Sequence, residues 1–231
     1  GMSGMRAWEV LLKMRIGVKF ARVGLGRFLS HLDLQDLFCR AVRRAGIPAK
    51  YTEGFHPHMS LSFASAMAVG METEGDYFEL QTAEEIEIPA AREALSAQMP
   101  QGFSICAMGR LPEGLAKLMA LAVRAEYEIF TENDAFRTWL GQVMAQQSYI
   151  ITKQRKQKSR QMDLRPLIYE ADLGRCTRLM LGNFGAETVT PKLLLAEAEK
   201  NMGSLGNVRV VRQELYAEQK GEIKALCELF I

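Results

Sequence analysis

The chain of 231 residues contains three histidines, His31, His56 and His58, and all of them fall between residues 27 and 64. With Asp33 and Glu53 close by, they provide the residue types that bind zinc or iron, or that act as acid and base in cleaving RNA through its 2′-hydroxyl. The same spacing leaves two other readings open. His56-Pro57-His58 is explicable as a loop whose path Pro57 sets. His31 stands near an expected helix start, where the helix dipole disfavours a positive charge, so a neutral ring there suits a structural hydrogen bond as well as a ligand. The group is therefore read as a catalytic or metal set, as a structural polar knot, or as a substrate contact without chemistry.

The densest charge signal is Lys153-Gln-Arg-Lys-Gln-Lys-Ser-Arg160, five basic residues in eight with no acid among them, followed by Arg165. Read as one strand of period two, it places Lys156, Lys158 and Arg160 on one face and Lys153 and Arg155 on the other. Nothing apolar interrupts the run, so it is expected to project into solvent as a hairpin arm or mobile loop, which is either a finger contacting phosphates or a plain solvated surface loop. Lys153, Arg155, Lys156, Lys158, Arg160 and Arg165 are the candidate nucleic-acid contacts. Asp163 and Arg165, two residues apart, read as a side-chain pair on one strand face. Gly182-Asn-Phe-Gly185 precedes Thr190-Pro191, where exposed N–H groups at a helix start favour an anion. The spacing matches no phosphate-binding loop and Glu187 would oppose a phosphate, so a loop that caps its helix is the simpler reading. Phe20, Phe63, Tyr77 and Phe78 can line a sheet face that stacks bases, but aromatics at strand spacing are read as core, and no signature of an RNA-recognition motif accompanies them.

These residues need elements to position them. Ser30 with Asp33 forms a capping-box variant, and Leu34, Leu37, Phe38, Ala41, Val42 and Ala45 follow at helical spacing. Gly46 and Pro48 end that helix. Arg15–Arg22 alternates as a half-buried strand, residues 47–52 and 60–64 are strand material interrupted by Gly54 and Pro57, and Asp76–Gln81 is a further strand. A helix opens at Pro89 and a strand spans 102–107. The order β-α-β-β-α-β recurs in the second half: a strand at 125–130, a helix capped by Asn133 or Asp134, strands at 149–152 and 177–181, a helix from Thr190-Pro191, and a strand at 208–212. The sequence thus predicts an α+β protein of two tandem ferredoxin-like units with antiparallel sheets. The expected boundaries are an N-terminal extension 1–13, a first unit 14–109, a linker 110–122, a second unit 123–216 and a tail 217–231 that either packs as a helix or docks a partner.

Composition sets limits. A hydrophobic content of 48% and 24% charged residues suit a globular chain, and a net charge of only +2 means that any polyanion must be met by a local patch. Cys39, Cys106, Cys176 and Cys227 are widely spaced and read as buried thiols in a reducing cytoplasm, without a zinc or redox pair. No stretch reads as a membrane span, and Glu9 inside the apolar part of residues 1–13 is unlike a signal peptide.

The motifs Arg27-Phe-Leu-Ser-His-Leu-Asp-Leu34, Arg44-Ala-Gly-Ile-Pro48 and Glu53-Gly-Phe-x-Pro-His58-x-x-Leu-Ser-Phe-Ala64 resemble the bacterial radical SAM-linked protein family, a domain of unknown function found beside or fused to radical SAM proteins. The resemblance runs from Met14 to about Tyr216. It departs at His56, where the family commonly has Asn, and at Met59, where it has Pro, which argues against an essential role for His56. It implies a radical SAM protein as partner, with the iron–sulfur cluster and S-adenosylmethionine held there, since this chain has no Cys-x-x-x-Cys-x-x-Cys motif. The expectation is a non-catalytic module that binds RNA, tRNA or rRNA, or presents a substrate to that enzyme, with no cofactor of its own. The alternatives are a histidine-based metal-dependent hydrolase or nuclease, and a protein-docking adaptor without nucleic acid.

Overall fold

A computed structural model describes residues 14–155, 158–174, 176–183, 185 and 188–231. The expected N-terminal extension 1–13, Lys156 and Glu187 lie outside the described residues, as do the side chains of Arg155 and Lys158. The protein is α+β with antiparallel sheets, and it divides into two compact units, one reaching to Leu121 and also holding Glu218–Ile231, the other Ala122–Ala217.

In the first unit the order is β1 (Arg15–Arg22), α1 (His31–Arg44), β2 (Leu61–Phe63), β3 (Glu72–Gln81), α2 (Ile88–Ser96) and β4 (Phe103–Arg110). β1 pairs antiparallel with both β3 and β4, and β2 pairs antiparallel with β3, so the strands lie in the order β4-β1-β3-β2. Ile16, Val18 and Phe20 alternate along β1 and are fully buried in one core with Leu34, Phe38, Ala41 and Val42 of α1 and Leu95 of α2. The Phe38 ring centre lies 4.7 Å from those of both Phe20 and Phe78. The aromatics read as core are therefore core. α1 starts where its cap dictates: Ser30 Oγ accepts from the Asp33 N–H at 3.2 Å, and Asp33 Oδ2 accepts from the Ser30 N–H at 3.3 Å.

Two stretches differ from expectation. Residues 111–121, read as part of a linker, are packed into the first unit. Leu111 and Leu118 are buried, a short α3 (Leu118–Leu121) forms, and the Arg15 guanidinium donates to the carbonyls of Leu115 and Ala116. The tail is neither a long helix nor a free docking element. It forms β11 (Glu222–Ala225) and a 3-10 turn over Leu226–Leu229, and Ile231 exchanges backbone hydrogen bonds of 2.9 and 3.1 Å with Arg110 at the end of β4. Between them the Phe230 ring lies over Gly17 and Gly109, which are register partners on β1 and β4. A Cβ at Gly109 would stand 2.5 Å from Phe230 Cβ, and one at Gly17 would overlap the ring. These glycines are the absence of side chain that the phenylalanine needs.

The second unit contains β5 (Arg124–Thr131), α4 (Ala135–Met144), β6 (Ile150–Arg155), β7 (Lys158–Asp163), β8 (Ile168–Asp172), β9 (Thr177–Gly182), α5 (Pro191–Met202) and β10 (Val208–Gln219), whose last two residues belong to the first unit. β5 pairs antiparallel with β9 and β10, and β8 with β9, giving β10-β5-β9-β8. The expected strand at 149–152 is β6, but it does not join this sheet. It pairs only with β7, in a separate two-stranded sheet. The strand beside β9 is instead β8, which the sequence did not suggest because only Ile168 of its five residues is buried. Thr190 caps α5 as expected, its Oγ accepting from the Leu193 N–H at 3.3 Å. Asn133 supplies the bond at the start of α4, its Oδ1 accepting from the Ala135 N–H at 3.0 Å.

All four cysteines are free thiols, and none is buried as expected: Cys106 is exposed on β4, and Cys39, Cys176 and Cys227 are half-buried. Among the described residues no helix is long and apolar enough to cross a membrane.

The seating of Phe230 gives a stability test. Gly17→Ala is expected to cost roughly 1–3 kcal/mol by overpacking, and most of that cost should vanish in a Phe230→Ala background. A urea-denaturation double-mutant cycle measures this coupling, and simple additivity would show that the ring is not what the added methyl meets.

Candidate functional site

The residues singled out from sequence separate into three places. His31 is the first residue of α1, and its ring stands edge-on to Phe63 with centroids 5.1 Å apart. Together with Gln35, Ser62, Ser65 and Met119 it lines a hollow of about 300 Å³. Asp33 is occupied by the cap, accepting from both the N–H and the hydroxyl of Ser30. The hollow therefore offers one imidazole, one amide and two hydroxyls above an aromatic floor, a set suited to hydrogen-bonding a ligand.

Glu53, His56 and His58 lie instead on an arm formed by residues 49–60. Its base is tied to β3, with the Lys50 N–H donating to the Gln81 carbonyl at 2.8 Å and the Gln81 N–H to the Ser60 carbonyl at 3.0 Å. Farther out, the Thr52 N–H donates to the His58 carbonyl at 2.8 Å, while the Thr52 hydroxyl lies 3.1 Å from both the His58 N–H nitrogen and Nδ1. Gly54 at the tip has φ +121°, a conformation that favours glycine, and accounts for the interruption read from sequence. Arg43 Nε donates to Tyr51 Oη at 2.9 Å, and this bond keeps the guanidinium pKa above its ordinary value. Among the described residues no three His, Cys, Asp or Glu side chains are placed to hold a metal, so His31, Asp33, Glu53, His56 and His58 do not come together as a shared metal site.

The third place is the hairpin β6–β7. Its register pairs Ile151 with Met162, Lys153 with Arg160 and Arg155 with Lys158. Directly opposed residues share a face, so Lys153 and Arg160 lie together rather than on opposite faces, and Arg155 and Lys158 hold positions of the same parity. The single-strand reading failed because the chain reverses between residues 155 and 158. Lys153 and Arg160 line a hollow with Pro166 and Leu167. On the side facing α5, Lys153 also lines a larger hollow of about 650 Å³ with Thr190, Lys192 and Lys200. One acid enters that hollow, Glu197, whose Oε1 lies 2.5 Å from Lys200 Nζ. Lys192 and Lys200 were missed from sequence because they belong to a distant helix, and only the fold places them beside the hairpin.

Asp163 and Arg165 are joined, but not as a side-chain ion pair. Asp163 Oδ1 accepts from the Arg165 backbone N–H at 3.1 Å, and the Arg165 guanidinium donates to the Ile168 carbonyl at 3.1 Å and toward that of Met144 at 3.4 Å. Asp163 latches the base of the hairpin: its carboxylate also accepts from the Ser148 hydroxyl at 2.7 Å and the Tyr149 N–H at 2.8 Å. The Ser148 bond first, then the Tyr149 N–H, and to a smaller extent the Arg165 N–H, hold its pKa below the ordinary aspartate value of 3.8, with desolvation opposing them. A depressed folded pKa gives stability that is complete above the unfolded value and declines as pH falls through the folded one. Amide protection factors in β6 and β7, which are corrected for the intrinsic pH dependence of exchange, are therefore expected to fall below about pH 4 and, in Asp163→Asn, to be lower at neutral pH and to lose that acid response. Protection factors that do not change with pH in the unmodified chain would show that the carboxylate is not the latch.

Nothing among curated proteins matches this chain. Among solved structures it is similar to an unknown protein from Galdieria sulphuraria, at 12% identity over 93% of this chain and 99% of that one, with a TM-score of 0.28. A family model described as uncharacterized protein conserved in bacteria (DUF2344) matches residues 15–205, which takes in the His31 hollow, the arm and the basic hairpin. The chain belongs to that bacterial family.

Proposed function

We propose that the chain is a non-catalytic module that holds RNA through the β6–β7 hairpin and works beside a radical SAM enzyme. In this reading each unit is a ferredoxin-like fold. The support is the strand order, β4-β1-β3-β2 in the first and β10-β5-β9-β8 in the second, with the hairpin inserted after α4 as an addition to the second.

The observation that carries the reading is the cross-strand pairing of Lys153 with Arg160 and of Arg155 with Lys158, next to a hollow that Lys192 and Lys200 also line. The register sets basic residue types opposite one another at two positions of the same parity, and this supports a polyanion-binding element. His31 resting on Phe63 and His58 bound to Thr52 give those rings structural partners, which favours binding over hydrolysis. The resemblance of the 27–64 motifs to radical SAM-linked proteins supports the choice of partner, which would supply the iron–sulfur cluster and S-adenosylmethionine.

Fluorescence anisotropy of a labelled single-stranded RNA across a salt series tests the reading. Four neutralised phosphates predict a log–log slope near −2.8, at about 0.7 per phosphate on a single strand. Lys153→Gln/Arg160→Gln should weaken binding and lower the slope by about 1.4. RNA binding that ignores both salt and this double variant, or no binding at all, would remove the proposal.

A further inference from the structure

The arm of residues 49–60 carries a feature that neither the sheet nor the core uses. Phe55 at its tip is fully exposed, with a relative accessibility of 102%, and Tyr51 on the same arm is 38% exposed. A phenylalanine held wholly in water gains nothing from burial, yet the backbone around it is fixed. Thr52 and His58 clamp the stem through the 2.8 Å main-chain bond and the two 3.1 Å side-chain contacts, and the bridge between Tyr51 and Met59 adds a further tie. The ring is thus presented in advance, which lowers the ordering cost of meeting a partner.

We infer that Phe55 is a stacking platform for an unpaired nucleobase of the RNA, a contact on the first unit independent of the hairpin on the second. This rests on the RNA-binding reading above. Charge complementarity selects the occupant. Arg43 is held on Tyr51, its guanidinium 5.9 Å from that ring centre, and Lys50 stands at the arm's base. Glu53 is the one acid within the arm itself. An aromatic tip flanked by an excess of cations fits a nucleic-acid strand, whose bases offer flat faces and whose backbone offers phosphates, better than an apolar protein groove.

The test uses the full chain and a single-stranded RNA 12-mer. Phe55→Ala should weaken binding roughly 5- to 150-fold, the equivalent of about 1–3 kcal/mol per stacked base, while leaving the salt slope unchanged because no charge is lost. Phe55→Trp should bind like the unmodified chain, and its new indole should be quenched by the RNA. The chain already has two tryptophans, Trp8 and the buried Trp139, so Phe55→Ala, which keeps both and adds none, serves as the fluorescence control. If Phe55→Ala binds as tightly as the unmodified chain while Lys153→Gln/Arg160→Gln binds weakly, the stacking inference fails and the hairpin reading stands. If the unmodified chain binds no RNA, both fail. If Phe55→Ala abolishes capture of a copurifying protein and leaves RNA affinity intact, the arm docks protein and the inference is overturned.

Discussion

Burial of β1 and β3 on both faces is the constraint from which the first unit follows. One face meets α1 and α2 through Ile16, Val18, Phe20 and Phe78. The other cannot be left to water, because Gly17 and Tyr77 on it are also buried. Its cover comes from segments distant in sequence: Phe230 seats over Gly17 and Gly109, and the Tyr77 ring meets that of Phe230 edge-on at 6.2 Å. Burying this face also encloses Glu79, 5% exposed. Its carboxylate accepts from Arg15 at 3.1 Å and from the Leu118 N–H at 2.8 Å, so a charge that would be costly alone is satisfied by the segment that covers it. The stretch after β4 and the chain end are therefore parts of the fold, whatever their composition suggests.

Against sheets satisfied in this way, the hairpin and the arm bury, among their described residues, side chains only near their roots, Ile151 in one and Met59 in the other, and their distal side chains point to no core. The hairpin is anchored at its root, where Ile151 is buried and Asp163 gathers three donors, while Thr152, Lys153 and Arg160 farther along it are exposed. The arm has the same design with different chemistry, a hydroxyl and an imidazole clamping its stem below a glycine tip. In both, the hydrogen bonds fix the backbone and leave the distal side chains to solvent. Evenly buried elements stabilise a fold. Elements rigid at the root and exposed at the end present groups to something else.

The sequence disclosed what local chemistry decides. Ser30-x-x-Asp33 fixed a helix start, the apolar stripe from Leu34 fixed its buried face, and Thr190-Pro191 opened α5. It concealed what pairing decides. A projecting hairpin arm was among the forms expected of the basic run, but no glycine, proline or asparagine lies between Lys153 and Arg160 to announce where it reverses, so the parity of its charges was inverted. β8 was invisible because an edge strand needs few apolar residues, and Ile168 alone carries the signal. Arg165 looked like a partner for the Asp163 carboxylate, but a 3-10 turn places its backbone N–H there and sends its guanidinium to carbonyls. The aromatic tip was within reach: Gly54 before Phe55 in a strand interruption already placed an apolar ring outside the ladder. The polar lining of the His31 hollow was not, since Gln35 and Met119 meet only after folding.

On the proposed reading, a net charge of +2 over 231 residues bears on how the chain would meet a polyanion. With so little overall charge there is no long-range attraction to steer encounter, and at physiological salt the field of the basic hairpin fades within about 8 Å. Cationic contacts alone would then give a loose, register-free association, as phosphate contacts carry no sequence information. Stacking has the complementary character: it is short-ranged, insensitive to salt, and requires an unpaired base to be turned outward. On the proposed reading, a charged element and an aromatic element on separate units divide the work, one recognising the backbone and the other recognising that the strand is open. That division would let a nearly neutral chain select single-stranded RNA over duplex without reading sequence, which is what presenting a substrate to a separate enzyme requires.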